Sequence, residues 1–215
     1  MSLRPLLLGH RGARAIKSIP ENTSASFERA LADGCDGFEF DVRLTADRQA
    51  VICHDPRFRS FAIAKAGADL LKDLPRLEHV LDAFGPRAFL DIELKVSGLE
   101  EITLELVERC KLMRGYVVSS FLPEVLRSVY RKNPAIPLGL ICETTAQLEP
   151  WPQLACEYVI VHHALASQEL ITGIHAAKRL IFVWTVNRAS DMKRFAMWGV
   201  DGIISDDTRL LGITL

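Results

Sequence analysis

Short apolar runs alternate with longer stretches of helical period along almost the whole chain. The runs 6–9, 37–42, 88–94, 116–121, 137–141, 158–162, 180–186 and 202–205 are rich in Val, Ile, Leu and Phe and predict buried strands. Between them, apolar residues recur at helical spacing: Phe27, Ala30 and Leu31 before Gly34; Leu77, Val80, Leu81 and Phe84 before Gly85; Leu99, Ile102 and Leu106. The pattern continues with Val125, Leu126 and Val129 behind Pro123, then Leu170, Ile171 and Ile174, then Met192, Phe195 and Ala196 before Gly199. Glycine just past a helix and proline in its first turn are the expected punctuation: glycine accepts a left-handed φ, and proline lacks an N–H that has no helical partner there. A helix over 145–155 should be short or irregular, because it contains Pro150 and Pro152.

Eight strand–helix units in 215 residues, about 27 residues each, predict a TIM (β/α)8 barrel. An open doubly wound sheet is the competitor, but no GxGxxG follows the first strand. The run 51–53 breaks the rhythm and reads as the returning arm of a β-hairpin whose other arm is the second strand. No linker or low-complexity tract interrupts the pattern, so 1–215 is expected to form one domain.

Composition narrows the partners. A chain with 49% hydrophobic residues can bury one substantial core, and 26 basic against 27 acidic side chains leave a net charge of -1, with no field to gather nucleic acid or an anionic membrane. No apolar run approaches the roughly 20 residues a bilayer requires, so no stable membrane insertion is expected. Five scattered cysteines without a CxxC spacing suggest free thiols in a reducing compartment, and with no signal-peptide core at the start the expected location is cytoplasmic.

In a (β/α)8 barrel the reacting groups lie where strands end at their carboxyl side. There the first strand runs into His10 and Arg11, the second carries Glu39 and Asp41, and the third carries Asp91, Glu93 and Lys95. Side chains alternate along a strand, so Glu39 and Asp41 share one face while Phe38, Phe40 and Val42 take the other; Glu93 and Lys95 likewise share a face. Two carboxylates from one strand and a third from the next can meet at one point. Their repulsion is relieved by upward titration or by a cation, and an all-oxygen set selects Mg²⁺ or Ca²⁺. A hairpin tip near Asp47 and Arg48 would set His54 opposite about residue 41, bringing a second imidazole beside the carboxylates. Three carboxylates, one divalent cation, Arg11 and Lys95 sum to about +1, which suits a phosphodiester monoanion. Of His162 and His163, adjacent on a strand, at most one can face the pocket; Cys53 should point away from His54, and His175 lies on a helix.

The chain resembles the glycerophosphodiester phosphodiesterase family. The resemblance rests on Gly9-His10-Arg11-Gly12, Pro20-Glu21-Asn22-Thr23, Glu39-Phe40-Asp41-Val42 with Thr45 and Asp47, and Val51 through His54-Asp55. It continues through Ile92-Glu93-Leu94-Lys95, Ser120-Phe121, Val183-Trp184-Thr185-Val186-Asn187 and the segment from Gly199 to Asp206. It implies a TIM-barrel hydrolase that cleaves glycerophosphodiesters to sn-glycerol 3-phosphate and an alcohol. It further implies metal ligation by Glu39, Asp41 and Glu93, acid/base roles for His10 and His54, phosphate contact by Arg11 and Lys95, and an apolar wall near the glycerol from Trp184. Glu21 and Asn22 divide between support of the site and capping of the first helix, a task Thr23 can share. The family's insertion after His54-Asp55 is reduced here to residues 56–74, leaving a short lid after strand 2. Two alternatives keep the barrel: a lysophospholipase D or sphingomyelinase D-like diesterase, and a non-catalytic phosphoester-binding barrel.

Overall fold

Eight parallel strands close on one another in the structure, a computed structural model that describes residues 4–215. Among the described residues the chain order is β1 (Leu6–His10), α1 (Ser24–Ala32), β2 (Gly37–Leu44), β3 (Ala50–Ile52), β4 (Arg57–Phe58), β5 (Phe61–Ala62), α2 (Leu77–Phe84) and β6 (Phe89–Leu94). There follow α3 (Glu100–Arg109), β7 (Tyr116–Ser120), α4 (Pro123–Lys132), β8 (Leu138–Cys142), α5 (Thr145–Leu148), β9 (Tyr158–His162), α6 (Gln168–Ala176), β10 (Leu180–Trp184), α7 (Ala189–Trp198), β11 (Gly202–Ser205) and α8 (Thr208–Thr214). The barrel runs β1, β2, β6, β7, β8, β9, β10, β11 and back to β1, which makes it the expected TIM barrel.

The alternation read from β2 sorts its two faces as expected. Phe38 and Phe40 face the helices, where Phe27 of α1 stacks on Phe38 at 4.1 Å and Phe84 of α2 meets it edge-on at 5.1 Å. Glu39 and Asp41 face the barrel axis. Lower in the barrel, Phe89, Tyr158 and Phe182 interlock, with centroids 5.9 Å apart for Phe89 and Phe182 and 5.1 Å for Tyr158 and Phe182. Glycines permit this packing: a Cβ on Gly37 would lie 1.8 Å from the Phe89 carbonyl oxygen and hold β2 away from the β6 backbone, and one on Gly202 would lie 2.4 Å from the Phe182 ring. The interior is therefore packed at its lower end, with a cavity above it.

Three elements depart from the sequence reading. β2 extends past Val42 to Leu44 because β3 pairs with it, Val42 opposite Ile52 and Leu44 opposite Ala50. Thr45 N–H donates to the Gln49 carbonyl at 3.0 Å, which centres the hairpin on Asp47. Cys53, not His54, therefore falls opposite Asp41, its N–H donating to the Asp41 carbonyl at 2.9 Å. α8 was not evident from the periodicity; its N-cap Asp207 accepts from Leu210 N–H at 2.9 Å, and only Thr208 and Leu211 of it are buried. The proline-bearing segment is irregular, as expected: α5 spans four residues and is followed by a 3-10 turn, Trp151–Gln153. The lid after β3 contains the small β4–β5 hairpin and two 3-10 turns over its own core of Val51, Ile63, Ala66, Leu71 and Leu74.

Candidate active site

Register gathers the acids. Across neighbouring strands His10 lies beside Glu39, Glu39 beside Asp91, and Asp41 beside Glu93. One oxygen from each of Glu39, Asp41 and Glu93 lies within 4.8 Å of the others, and all three side chains are buried. Glu39 Oε1 has no hydrogen-bond partner, while Asp41 Oδ1 and Glu93 Oε1 meet the Lys95 ammonium at 3.2 and 2.7 Å. A buried, oxygen-only set with an unsatisfied atom is the donor chemistry of a hard divalent ion, so these residues could hold one.

Each acid has its own surroundings. Asp41 Oδ2 accepts from Asn22 Nδ2 at 2.8 Å and faces Arg11 Nε at 3.3 Å. Burial works against its ionisation, but Lys95 and Arg11 hold its carboxyl below the usual range. Burial, reinforced by the charges of Asp41 and Glu93, pushes Glu39 well above its ordinary value. Burial and Asp41 push Glu93 up to about 8. Asp91, one layer deeper, is pushed by burial to about 7 despite a 2.5 Å hydrogen bond from Ser119.

These shifts predict how stability depends on pH. In chelator-treated protein the fold retains protons on Glu39, Asp91 and Glu93 that the unfolded chain, titrating near the ordinary value of about 4, has released. Between those limits the folded state binds more protons, so stability falls as pH rises through the shifted values. His54, which burial lowers, acts in the opposite sense as one group against three. Urea midpoints should fall from pH 5 to pH 9, and a rising profile would contradict the assignment of raised acids.

The two imidazoles stand on either side. His10 ends β1; its Nε2 is 3.8 Å from Glu39 Oε2 and its Nδ1 is 2.7 Å from Asp206 Oδ1. Asp206 also accepts from Asn187 Nδ2 at 2.8 Å and Arg14 at 3.2 Å. Burial opposes ionisation of Asp206, but His10, Asn187 and Arg14 hold it well below the usual carboxylate range. An ionised carboxylate only accepts, so His10 carries its proton on Nδ1 and leaves Nε2 toward the acids. His54 follows the end of β3, and its Nδ1 is 2.8 Å from Asp55 Oδ1. Despite the one-residue register difference, it faces the same cavity.

That cavity, about 290 Å³, is lined on one side by His10, Arg11, Glu39, His54, Glu93 and Lys95. Its other side is apolar, with Phe121, Ile141, Ile160, Trp184 and Ile204, and with Glu143 the one carboxylate there. Trp184 thus lines the pocket, its ring edge-on to Phe121 at 5.8 Å. The sequence-assigned residues other than Asp41 all line this space, and Asp41 lies among them through Arg11 and Lys95. His162 packs against the Trp184 ring at 5.3 Å, and neither it nor His163 lines the cavity. His175, on α6, pairs with Asp201 at 2.8 Å and does not line this cavity. Thr23 caps α1, accepting from Ser26 N–H at 3.3 Å, while Asn22 supports Asp41 and Glu21 binds Arg11 at 2.8 Å. Arg11 and Asn22 both hold positive φ, 51° and 58°, an unusual backbone for side-chain-bearing residues that keeps both aimed at Asp41.

Asp206 was missed as a site residue, though its signal was present: it continues the inward period of Gly202 and Ile204 one step beyond the last strand. Arg14 and Glu143 carried no such signal. Among the described residues the five cysteines are unpaired and no helix is long and apolar enough to cross a membrane.

Comparison with known proteins adds to this geometry. The sequence profile of the Glycerophosphoryl diester phosphodiesterase family matches residues 10–108 and, overlapping, 91–210. A glycerophosphodiester phosphodiesterase of Caldanaerobacter subterraneus is 32% identical over 97% of each chain, and one of Bacillus altitudinis is 28% identical over 93% of this chain and 94% of its own. Among solved structures, an Oleispira antarctica phosphodiesterase in complex with the product sn-glycerol-3-phosphate is 25% identical, covers 99% of this chain and 97% of its own, and superposes with a TM-score of 0.87. A Thermotoga maritima glycerophosphodiester phosphodiesterase shares the fold with a TM-score of 0.82 at 23% identity, covering 96% of each chain. A profile match along nearly the whole length, on a barrel whose polar residues gather at one mouth, means that the chain belongs to the glycerophosphoryl diester phosphodiesterase family of enzymes.

Proposed function

We propose that residues 1–215 form one catalytic domain that hydrolyses glycerophosphodiesters to sn-glycerol 3-phosphate and an alcohol, with one Mg²⁺ or Ca²⁺ held by Glu39, Asp41 and Glu93. The observation that carries this reading is the meeting of those three carboxylates within 4.8 Å, beside two imidazoles and two cations. A relative of the same fold is described with sn-glycerol-3-phosphate as its product, which fits the substrate class.

Arg11 and Lys95 face the cavity with fixed positive charge and bind the non-bridging oxygens of a diester. A divalent ion, when bound, supplies Lewis-acid polarisation of those oxygens and lowers the cost of activating a nearby hydroxyl. His10 offers Nε2 as a proton acceptor or donor, its other nitrogen tied to Asp206; His54 does the same with Asp55 behind it. One takes the proton of the attacking hydroxyl, and the other gives a proton to the departing alkoxide. Trp184, with Phe121 and the three isoleucines, forms a wall for the carbon skeleton of the glycerol. Five unpaired thiols accord with work in the cytoplasm.

The test is release of sn-glycerol 3-phosphate from glycerophosphocholine and glycerophosphoethanolamine, with chelator and then with Mg²⁺ or Ca²⁺ restored. Turnover should disappear with chelator and return with the ion. Undiminished turnover under chelation overturns the metal-centred scheme. Lysophospholipids belong in the same panel: preference for them would favour the lysophospholipase D-like alternative, and tight diester binding without turnover would favour the non-catalytic one.

A further inference from the structure

A chain of charges runs behind the two groups that face the substrate. Arg14 sends Nε to Glu21 Oε2 at 2.8 Å and a terminal nitrogen to Asp206 Oδ1 at 3.2 Å. The other oxygen of Glu21 accepts from Arg11 at 2.8 Å, and Asp206 Oδ1 accepts from His10 Nδ1 at 2.7 Å. One guanidinium therefore touches both the carboxylate that aims Arg11 and the carboxylate that aims His10. Arg14 itself does not line the cavity.

We propose that Arg14 is a positioning residue, which keeps the Arg11 guanidinium and the His10 imidazole in register with each other through Glu21 and Asp206. The proposal rests on the roles given above to Arg11 and His10. Exposed ion pairs contribute little to stability, and the Arg14 and Glu21 side chains are 39% and 36% exposed, so the pair's effect is on orientation rather than on folding. Only a planar guanidinium can serve two carboxylates at a fixed angle; a lysine ammonium on a flexible stem serves them less well. The two arms are unequal. Asp206 keeps Asn187 as a second anchor, with Asp206 N–H also donating to Asn187 Oδ1 at 2.9 Å, whereas among the described residues the Glu21 side chain has only Arg11 and Arg14 as hydrogen-bond partners. Loss of Arg14 should therefore loosen Arg11 more than His10.

Arg14→Ala should raise KM for glycerophosphocholine about ten-fold and lower kcat about three-fold, with an unchanged thermal midpoint. Arg14→Lys should recover part of the KM loss, and Arg14→Met, which keeps the stem, should not. If the bridge acts through Glu21, Arg14→Ala combined with Glu21→Gln should have a KM within about two-fold of Glu21→Gln alone. Values of KM and kcat within two-fold of wild type for Arg14→Ala, or effects that multiply in the double variant, overturn the proposal. A second readout needs no turnover: the Nδ1–H resonance of His10 in ¹⁵N-labelled protein should broaden or shift in Arg14→Ala and recover in Arg14→Lys. If the wild type fails to hydrolyse any diester, the functional reading fails while this resonance still decides the role of Arg14. An unaltered resonance then counts against it. Should Arg14→Ala misfold, the contrast of Arg14→Lys with Arg14→Met gives the same decision.

Discussion

Glu39→Gln lowers turnover about a thousand-fold or more while the protein stays folded. Glutamine keeps the size of the side chain and one carbonyl oxygen able to accept from the Arg11 backbone N–H, which meets Glu39 Oε2 at 3.0 Å. It replaces the other oxygen, which has no hydrogen-bond partner, with an amide nitrogen that cannot ligate a cation. Because burial already favours the uncharged form of this carboxyl, a neutral isostere costs the metal-free fold little. A divalent ion, in contrast, draws its affinity from ionised ligands. Calorimetric titration with Mg²⁺ and Ca²⁺ should therefore show the affinity loss alongside the kinetic one. Wild-type turnover in Glu39→Gln would remove Glu39 from the reaction.

His10→Ala and His54→Ala each lose about a hundred- to ten-thousand-fold in kcat, the range expected when a general acid or base is deleted. The two losses should respond differently to the leaving group. A diester of a nitrophenol departs without needing a proton, so the variant lacking the general acid should recover on it, whereas the variant lacking the general base should not. The two imidazoles are held with different firmness: the His10 side chain is 11% exposed with Asp206 fixed behind it, while the His54 side chain is 35% exposed beside an Asp55 that is 74% exposed. Less than a ten-fold loss in both variants would leave the diesterase scheme without its proton carriers.

Much of the fold was legible because the barrel repeats one physical rule. Each strand is buried on both faces and reads as an apolar run, and departures from that run mark the inward polar positions. Glu39, Asp41 and Glu93 stood out because charged residues interrupt runs such as Gly37-Phe38 and Phe40, where burial would otherwise exclude them. The hairpin was recognised but its register was one residue off, since the turn is centred on Asp47 by a backbone bond that composition does not reveal. α8 was missed because so short an element buries few apolar residues and shows little period. Arg14 and Asp206 are 192 residues apart in sequence, and their pairing is created only when β11 closes against β1. No local pattern encodes such a contact.

The interlocked rings of Phe89, Tyr158 and Phe182 floor the barrel beneath the catalytic cavity, so that among the described residues this cavity reaches solvent on the catalytic side. Reactant and both fragments must share that passage. If the proposed reaction runs in this cavity, sn-glycerol 3-phosphate and an incoming diester would contend for the same space beside Trp184. Traffic through one entrance would thereby link the packing at the base of the barrel to competitive inhibition by the product, which initial rates at added sn-glycerol 3-phosphate would reveal.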